Sequence, residues 1–194
     1  MSRILVVYST NSGSTGEIAE TIAAELTAGG HAVEVKKTSD VNEIDPFDAI
    51  VVGAPMILGW QNQARRFLKR HQVKLASKKV ALFASAMRLT LVPQEALPTA
   101  PLVLDPNLVT APQKPGALSL KERFTTCGHY LKPMLQSMPN TTPVSVAFFN
   151  GKLEMYRLKV WQAAFVMAVV RAVPGDYRDW DFIRAWGKSL SEIF

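Results

Sequence analysis

Five hydroxyl side chains crowd into seven residues near the start of this chain: Ser9, Thr10, Ser12, Ser14 and Thr15, with Asn11 and Gly13 between them. An apolar run, Ile4 to Tyr8, precedes them, and a helical pattern from Thr15 to about Leu26 follows. A hydroxyl-rich turn between a strand and a helix start is a phosphate cradle. The first N–H groups of a helix have no intrahelical acceptor, and the macrodipole adds partial positive charge there. The turn holds no Lys or Arg, so a phosphate would rest on amides and hydroxyls alone. That chemistry suits a phosphomonoester that stays bound better than a phosphate that is transferred. Competing loops are excluded by spacing. No Lys follows Gly13 or Gly16 as a Walker loop needs, and Gly13-x-x-Gly16 is not the dinucleotide Gly-x-Gly-x-x-Gly. No Cys stands in the turn to serve a thiol phosphatase.

Two further stretches supply what a flat aromatic ligand would need. Gly53-Ala54-Pro55-Met56-Ile57-Leu58-Gly59-Trp60 is glycine-bounded, apolar and stiffened by Pro55. It reads as a wall whose backbone groups meet the polar edge of a ring system such as a flavin. Ser85-Ala86-Met87 is small enough for close backbone approach, and Arg88 follows it. Arg88 is the candidate catalytic residue, placed to stabilise negative charge on a reduced ring or to meet an acidic substrate. Trp60 is read either as stacking on the ring or as a core residue at a helix start, and Met56 and Met87 as packing residues.

The elements that must position these residues alternate. Strands are expected at Ile4 to Tyr8, His31 to Lys36, Ala49 to Val52, Val80 to Ser85 and Val144 to Phe149. Ile18, Ile22 and Leu26 make one helix face, which Gly29-Gly30 ends. Gln63 to His71 is a second helix, with Phe67 and Leu68 inward and Arg65, Arg66, Lys69 and Arg70 outward. The pattern predicts an α/β, doubly wound, five-stranded parallel sheet of order 2-1-3-4-5, with a ligand at the carboxyl ends of its strands.

Two segments exceed that plan. Residues 88–118 form a Pro-rich insertion after the fourth strand, with Pro93, Pro98, Pro101, Pro106, Pro112 and Pro115. Its Leu and Val content marks it as an ordered excursion over the carboxyl-end face or a subunit contact rather than a linker. A helix from about Leu120 to Met138, kinked or broken at Pro133, follows. Residues 153–173 read as an apolar helix that packs on the sheet, sits at a homodimer interface, or lies at a bilayer surface flanked by Arg157, Lys159 and Arg171. The C-terminal helices are extra to the minimal fold.

The chain has 194 residues, 48% of them hydrophobic and 20% charged, which predicts one domain with a full core. Its 22 basic and 16 acidic residues give a net charge of +6, favouring anionic partners such as a lipid surface. Basic charge without an interleaved aromatic stripe argues against nucleic acid. One cysteine, Cys127, excludes an intrachain disulfide and fits a cytoplasmic setting. His31, His71 and His129 are too scattered for a metal site. No secretory leader is legible, and no run approaches the roughly 20 apolar residues of a membrane span.

Three blocks carry a family resemblance over the whole chain. They are the turn from Thr10 to Thr15, then Val52-Gly53-Ala54-Pro55 with Gly59-Trp60 and the basic helix, and lastly a C-terminal block. The last runs from Val146 to Leu153, then Gly175-Asp176-Tyr177-Arg178-Asp179-Trp180 and Phe182 to Trp186, with Asp179 expected to cap the final helix. The chain resembles the flavodoxin superfamily and, within it, the menaquinone-dependent protoporphyrinogen oxidase (dehydrogenase) family. The resemblance implies a flavodoxin-like fold and one FMN. It also implies an oxidoreductase that couples protoporphyrinogen oxidation to quinone reduction at the cytoplasmic membrane, with Ser9 to Thr15 under the FMN phosphate. The alternatives are an electron-transfer protein and an NAD(P)H:quinone reductase. Carriers of the first kind are usually acidic, which the +6 charge opposes.

Overall fold

The computed structural model describes residues 1–56, 59–92, 100–114, 116–153 and 174–194. Its centre is β1 (Arg3–Tyr8), whose Ile4 to Val7 are apolar on both faces and fully buried. A strand buried on both sides is what a parallel sheet between two helical layers demands. Around it stand β2 (Ala32–Lys37), β3 (Ala49–Pro55) and β4 (Lys79–Ala86), all parallel. Then come three short strands, β5 (Leu89–Thr90), β6 (Leu102–Leu104) and β7 (Val109–Thr110), followed by β8 (Ser145–Asn150). The sheet order is β2-β1-β3-β4-β8-β6.

The expected order of five strands is preserved, but the sheet has six. The sixth, β6, comes from the Pro-rich insertion and pairs in parallel with β8. An edge position makes this possible: Pro101 has no N–H to give, yet its carbonyl accepts from Val146 N–H at 2.8 Å. β3 also runs three residues further than expected, so Gly53, Ala54 and Pro55 belong to the strand rather than to a loop. Gly53 is obligatory there, since a Cβ at that position would lie 1.9 Å from the Phe83 ring.

Alternate residues of the central strands feed two cores. On one face, Leu5, Val52 and Leu82 pack with Phe67 and Leu68 of α2 (Asn62–Leu75) and Leu131 and Met134 of α4 (Cys127–Leu135). On the other, Val6, Val51 and Phe83 pack with Ile18, Ile22 and Leu26 of α1 (Ser14–Ala28) and Ile183, Trp186 and Leu190 of α5 (Trp180–Ile193). The expected single helix with a break at Pro133 is corrected. A short α3 (Leu120–Arg123) ends first, and Thr126 starts α4 by accepting from His129 N–H at 3.2 Å. Capping by Thr126 sets the break, and Pro133 is accommodated inside α4.

Near the end of the chain β9 (Lys152–Leu153) pairs antiparallel with β10 (Gly175–Asp176). Asp179 then caps α5 as expected, accepting from Phe182 N–H at 3.0 Å. The expected apolar helix, apart from Leu153 in β9, falls outside the described residues. Among the described residues, no helix is long and apolar enough to cross a membrane.

Candidate functional site

At the carboxyl end of β1 the chain turns through residues 9–13 into α1. Thr10 Oγ1 accepts from Gly13 N–H at 2.8 Å, which closes the turn. Gly13 sits at φ +97°, in the left-handed region that favours glycine. No side chain caps α1. Among the described residues, no acceptor meets the N–H of Ser14 or of Thr15. These free donors at a helix start are what an anion needs.

Three contacts draw the neighbouring segments onto this turn. Thr15 Oγ1 lies 3.3 Å from Ser85 Oγ, tying the turn to the end of β4. Gln61 Nε2 donates to Asn11 Oδ1 at 2.6 Å, tying it to the start of α2. Met56 N–H donates to Ser85 carbonyl at 2.8 Å, joining the second and third segments. Ser9, Thr10, Asn11, Ser12, Gly13, Ser14 and Thr15 thus share one edge with Ala54, Pro55, Met56, Gly59, Trp60, Ser85, Ala86, Met87 and Arg88; Ile57 lies outside the described residues.

The five hydroxyls are not equivalent. Thr10 is engaged within the turn, and Thr15 is fully buried against Ser85. Ser9 is 2% exposed, and its Oγ has no partner. Seven buried side-chain polar atoms lack a partner among the described residues. Four of them, Ser9 Oγ, Trp60 Nε1, Gln61 Oε1 and Arg88 Nε, belong to this edge. Native proteins pair nearly all such atoms, so their concentration at this edge sets it apart from the rest of the described structure. Trp60 itself is 2% exposed and packs in the α2-side core, so it serves as a packing anchor rather than an open stacking surface.

The outer wall comes from the insertion and α4. Tyr130 O–H donates to the Arg88 carbonyl at 3.2 Å, and burial pushes its phenol well above the ordinary range, keeping that proton in place. Glu122, 1% exposed, accepts from Ser119 Oγ at 2.6 Å, Gln113 N–H at 2.7 Å and Ser119 N–H at 2.8 Å. These bonds, helped by the Arg88 charge, hold its carboxyl down at about 2. Asp105, fully buried, accepts from Asn107 N–H at 2.8 Å and Asn150 N–H at 3.0 Å, which fastens the insertion to the end of β8.

Arg178 is not among the site residues expected from the sequence. Its Nη1 donates to the Ser14 carbonyl at 3.2 Å, and its side chain is 2% exposed. It is 164 positions from Ser14, so no local spacing announces it. The sequence offered it only as part of the Gly175–Trp180 block, as an Arg between Asp176 and Asp179 with no role attached. Asp105 left a clearer signal, an acid directly after the apolar Leu102-Val103-Leu104.

A family model for the flavodoxin domain matches residues 5–180. Protoporphyrinogen IX dehydrogenase [quinone] of Escherichia coli K12 is 31% identical over 85 residues, 42% of this chain and 47% of that enzyme. The matched stretch thus spans about half the length of that curated relative. Among solved structures, two-electron reduced Megasphaera elsdenii flavodoxin superposes with a TM-score of 0.55 at 16% identity, covering 97% of this chain and 98% of that one. Oxidised flavodoxin 2 from Bacillus cereus gives 0.52 at 17% identity, covering 99% of each. A flavodoxin from the domain Archaea gives 0.52 at 15%, covering 98% and 97%.

Proposed function

Because the chain belongs to the flavodoxin domain family, we propose that the edge described above holds one FMN and that the protein is an FMN-dependent oxidoreductase. The observation that carries this is a helix start whose Ser14 and Thr15 N–H groups meet no acceptor among the described residues, entered by a turn without Lys or Arg and beside the unpartnered Ser9 Oγ. The Ser14 and Thr15 amides would receive the phosphate, with Ser12 beside them. The segments around Met56 and Ser85 would flank the ring. Bound FMN would supply two-electron redox chemistry at its ring. The protein's own part is to bind, orient and tune. Arg88, on the segment after β4, would place a cation near the ring or near an acidic group of a substrate. Tyr130, by holding the Arg88 carbonyl, would fix that segment.

The finer reading is protoporphyrinogen oxidation coupled to quinone reduction, supported by the likeness to the Escherichia coli enzyme. An anaerobic assay of FMN-loaded protein with protoporphyrinogen and a soluble quinone tests it. Porphyrin fluorescence that rises only with flavin and quinone together is the expected result. Stable FMN loading without porphyrin would turn the reading to NAD(P)H:quinone reduction or electron transfer.

A contact with an anionic lipid surface belongs to the same proposal. α2 carries Arg65, Arg66, Lys69, Arg70 and Lys74 and no acid, while α1 on the opposite face carries Glu17, Glu20 and Glu25 and no base. Lys74 pairs with Asp45 and Glu43, whereas Arg66, Lys69 and Arg70 are exposed and form no ion pair among the described residues. Val73, 80% exposed, adds an apolar group to that helix. Each such cation contributes about 1 kcal/mol near an anionic membrane. Vesicles rich in anionic lipid should therefore retain the protein and release it in high salt. Charge reversal at Arg66, Lys69 and Arg70 should abolish retention, and unchanged retention would refute this face as the contact.

A further inference from the structure

The cradle contains no cation of its own, yet a buried one stands directly behind it. Arg178 Nη1 donates to the Ser14 carbonyl at 3.2 Å and to Glu17 Oε2 at 2.8 Å. Its Nε donates to Asp176 Oδ1 at 2.7 Å, and Nη2 to Asp176 Oδ2 at 2.5 Å. The guanidinium lies 4.3 Å from the Trp180 ring centroid. Burial opposes its charge, but the bonds to Asp176 and Glu17 outweigh that and raise its pKa above the ordinary value. The same bonds from Arg178 lower Asp176. The arginine is therefore a permanent, immobile charge.

Its neighbours explain why that charge is needed. Glu17 is in the first turn of α1, and Asp176 comes from β10. Glu17 lies within the helix start that would receive a phosphate and Asp176 is joined to it through Arg178, so left unpaired both would repel an anion there. The Arg178 fork sits between them and offsets that repulsion. It also polarises the Ser14–Thr15 peptide, because a charged donor on the Ser14 carbonyl makes the Thr15 N–H a stronger donor. That N–H has no acceptor among the described residues. The platform is rigid: Tyr177 N–H donates to the Gly151 carbonyl at 3.1 Å, and Asp179 caps α5.

We propose that Arg178 is the positioning residue that makes this cradle select a phosphorylated flavin over an unphosphorylated one. It does so through the Ser14–Thr15 peptide and by shielding Glu17 and Asp176, without itself touching the phosphate. The proposal rests on the flavin reading above.

The test compares FMN with riboflavin, which lacks the phosphate, by quenching of flavin fluorescence. The proteins are the full chain, Arg178→Met, Arg178→Lys and the double variant Glu17→Gln/Arg178→Met, each checked by thermal melting. Arg178→Met should lower FMN affinity at least about tenfold more than riboflavin affinity, the scale of one charge-assisted hydrogen bond. Arg178→Lys should recover part of the selectivity. The double variant should also recover part, because one of the two exposed carboxylates is gone. Equal losses for both flavins would make Arg178 a purely structural clamp and overturn the proposal. So would an unchanged ratio, or a full chain that binds both flavins equally. If Arg178→Met does not fold, the Arg178→Lys ratio decides: a selectivity below that of the full chain supports the proposal, and an unchanged one overturns it. A full chain that binds neither flavin overturns the flavin reading itself.

Discussion

The cradle and the outer wall of this site are assembled over very different distances along the chain. In the cradle, the turn closes within three positions, as Thr10 Oγ1 takes Gly13 N–H. In the outer wall, Asp105 reaches Asn150 across 45 positions and Tyr130 reaches Arg88 across 42. The cradle relies on donors that any helix start leaves free. The wall relies on buried carboxylates whose oxygens are satisfied by main-chain N–H groups. Removing the half-buried Ser12 hydroxyl from the turn should therefore leave the fold largely intact, whereas the Thr10 and Thr15 hydroxyls also close the turn and tie it to β4. Removing a carboxylate from the wall strands buried donors and acts on the fold itself.

That contrast can be broken by mutation. The largest effect is expected at Asp105→Ala, which leaves the Asn150 and Asn107 N–H groups without their acceptor. It should cost about 3 kcal/mol, read as a shifted midpoint in denaturant. A near-neutral result would mean that the insertion is not fastened through this residue. Next, Ser12→Ala/Thr15→Ala should weaken FMN binding roughly 10- to 100-fold, with a fall in melting temperature smaller than that of Asp105→Ala, because the buried Thr15 contact with Ser85 Oγ is lost as well. Wild-type affinity in that double variant would show that the cradle is wrongly assigned. Gly13→Ala should cost about 1–2 kcal/mol of stability, because an alanine would be forced into the left-handed region. A melt indistinguishable from wild type would argue that the turn relaxes freely.

The smallest effect appears only in acid. The Glu122 carboxylate is held down at about 2 against an ordinary value of 4.5, so its contribution is complete above pH 4.5 and lost as pH falls toward 2. The melting-temperature gap between wild type and Glu122→Gln should narrow across that window. A gap that stays constant would remove Glu122 from the acid response.

Much of this molecule was legible before its structure. Apolar runs at Ile4 to Val7 and Ala49 to Val52 are rich in Val and Ile and too short for a helix, so they read as central strands buried on both faces. The Ile18, Ile22 and Leu26 stripe assigns α1 to one core. The turn from Ser9 to Thr15 was readable because its chemistry is local. The limits of reading lay where partners are distant. The sixth strand was missed because Pro101 and Pro106 argue against a strand everywhere except at an edge, and edge position is not written in a run of three residues. Pro133 drew the predicted helix break away from Thr126, where capping places it.

The sequence by itself determined the sheet, its strand order over the first five strands and the hydroxyl-rich turn between β1 and α1, because strand burial, helix periodicity and turn chemistry act within a dozen residues. Only the tertiary structure decided that Trp60 is buried in the core and that Asp105 fastens the insertion. The same is true of Arg178, which stands behind Ser14 from the far end of the chain. Each of these depends on which side chains meet after the chain has folded, and a hydrogen bond spanning 45 or 164 positions leaves no spacing to read.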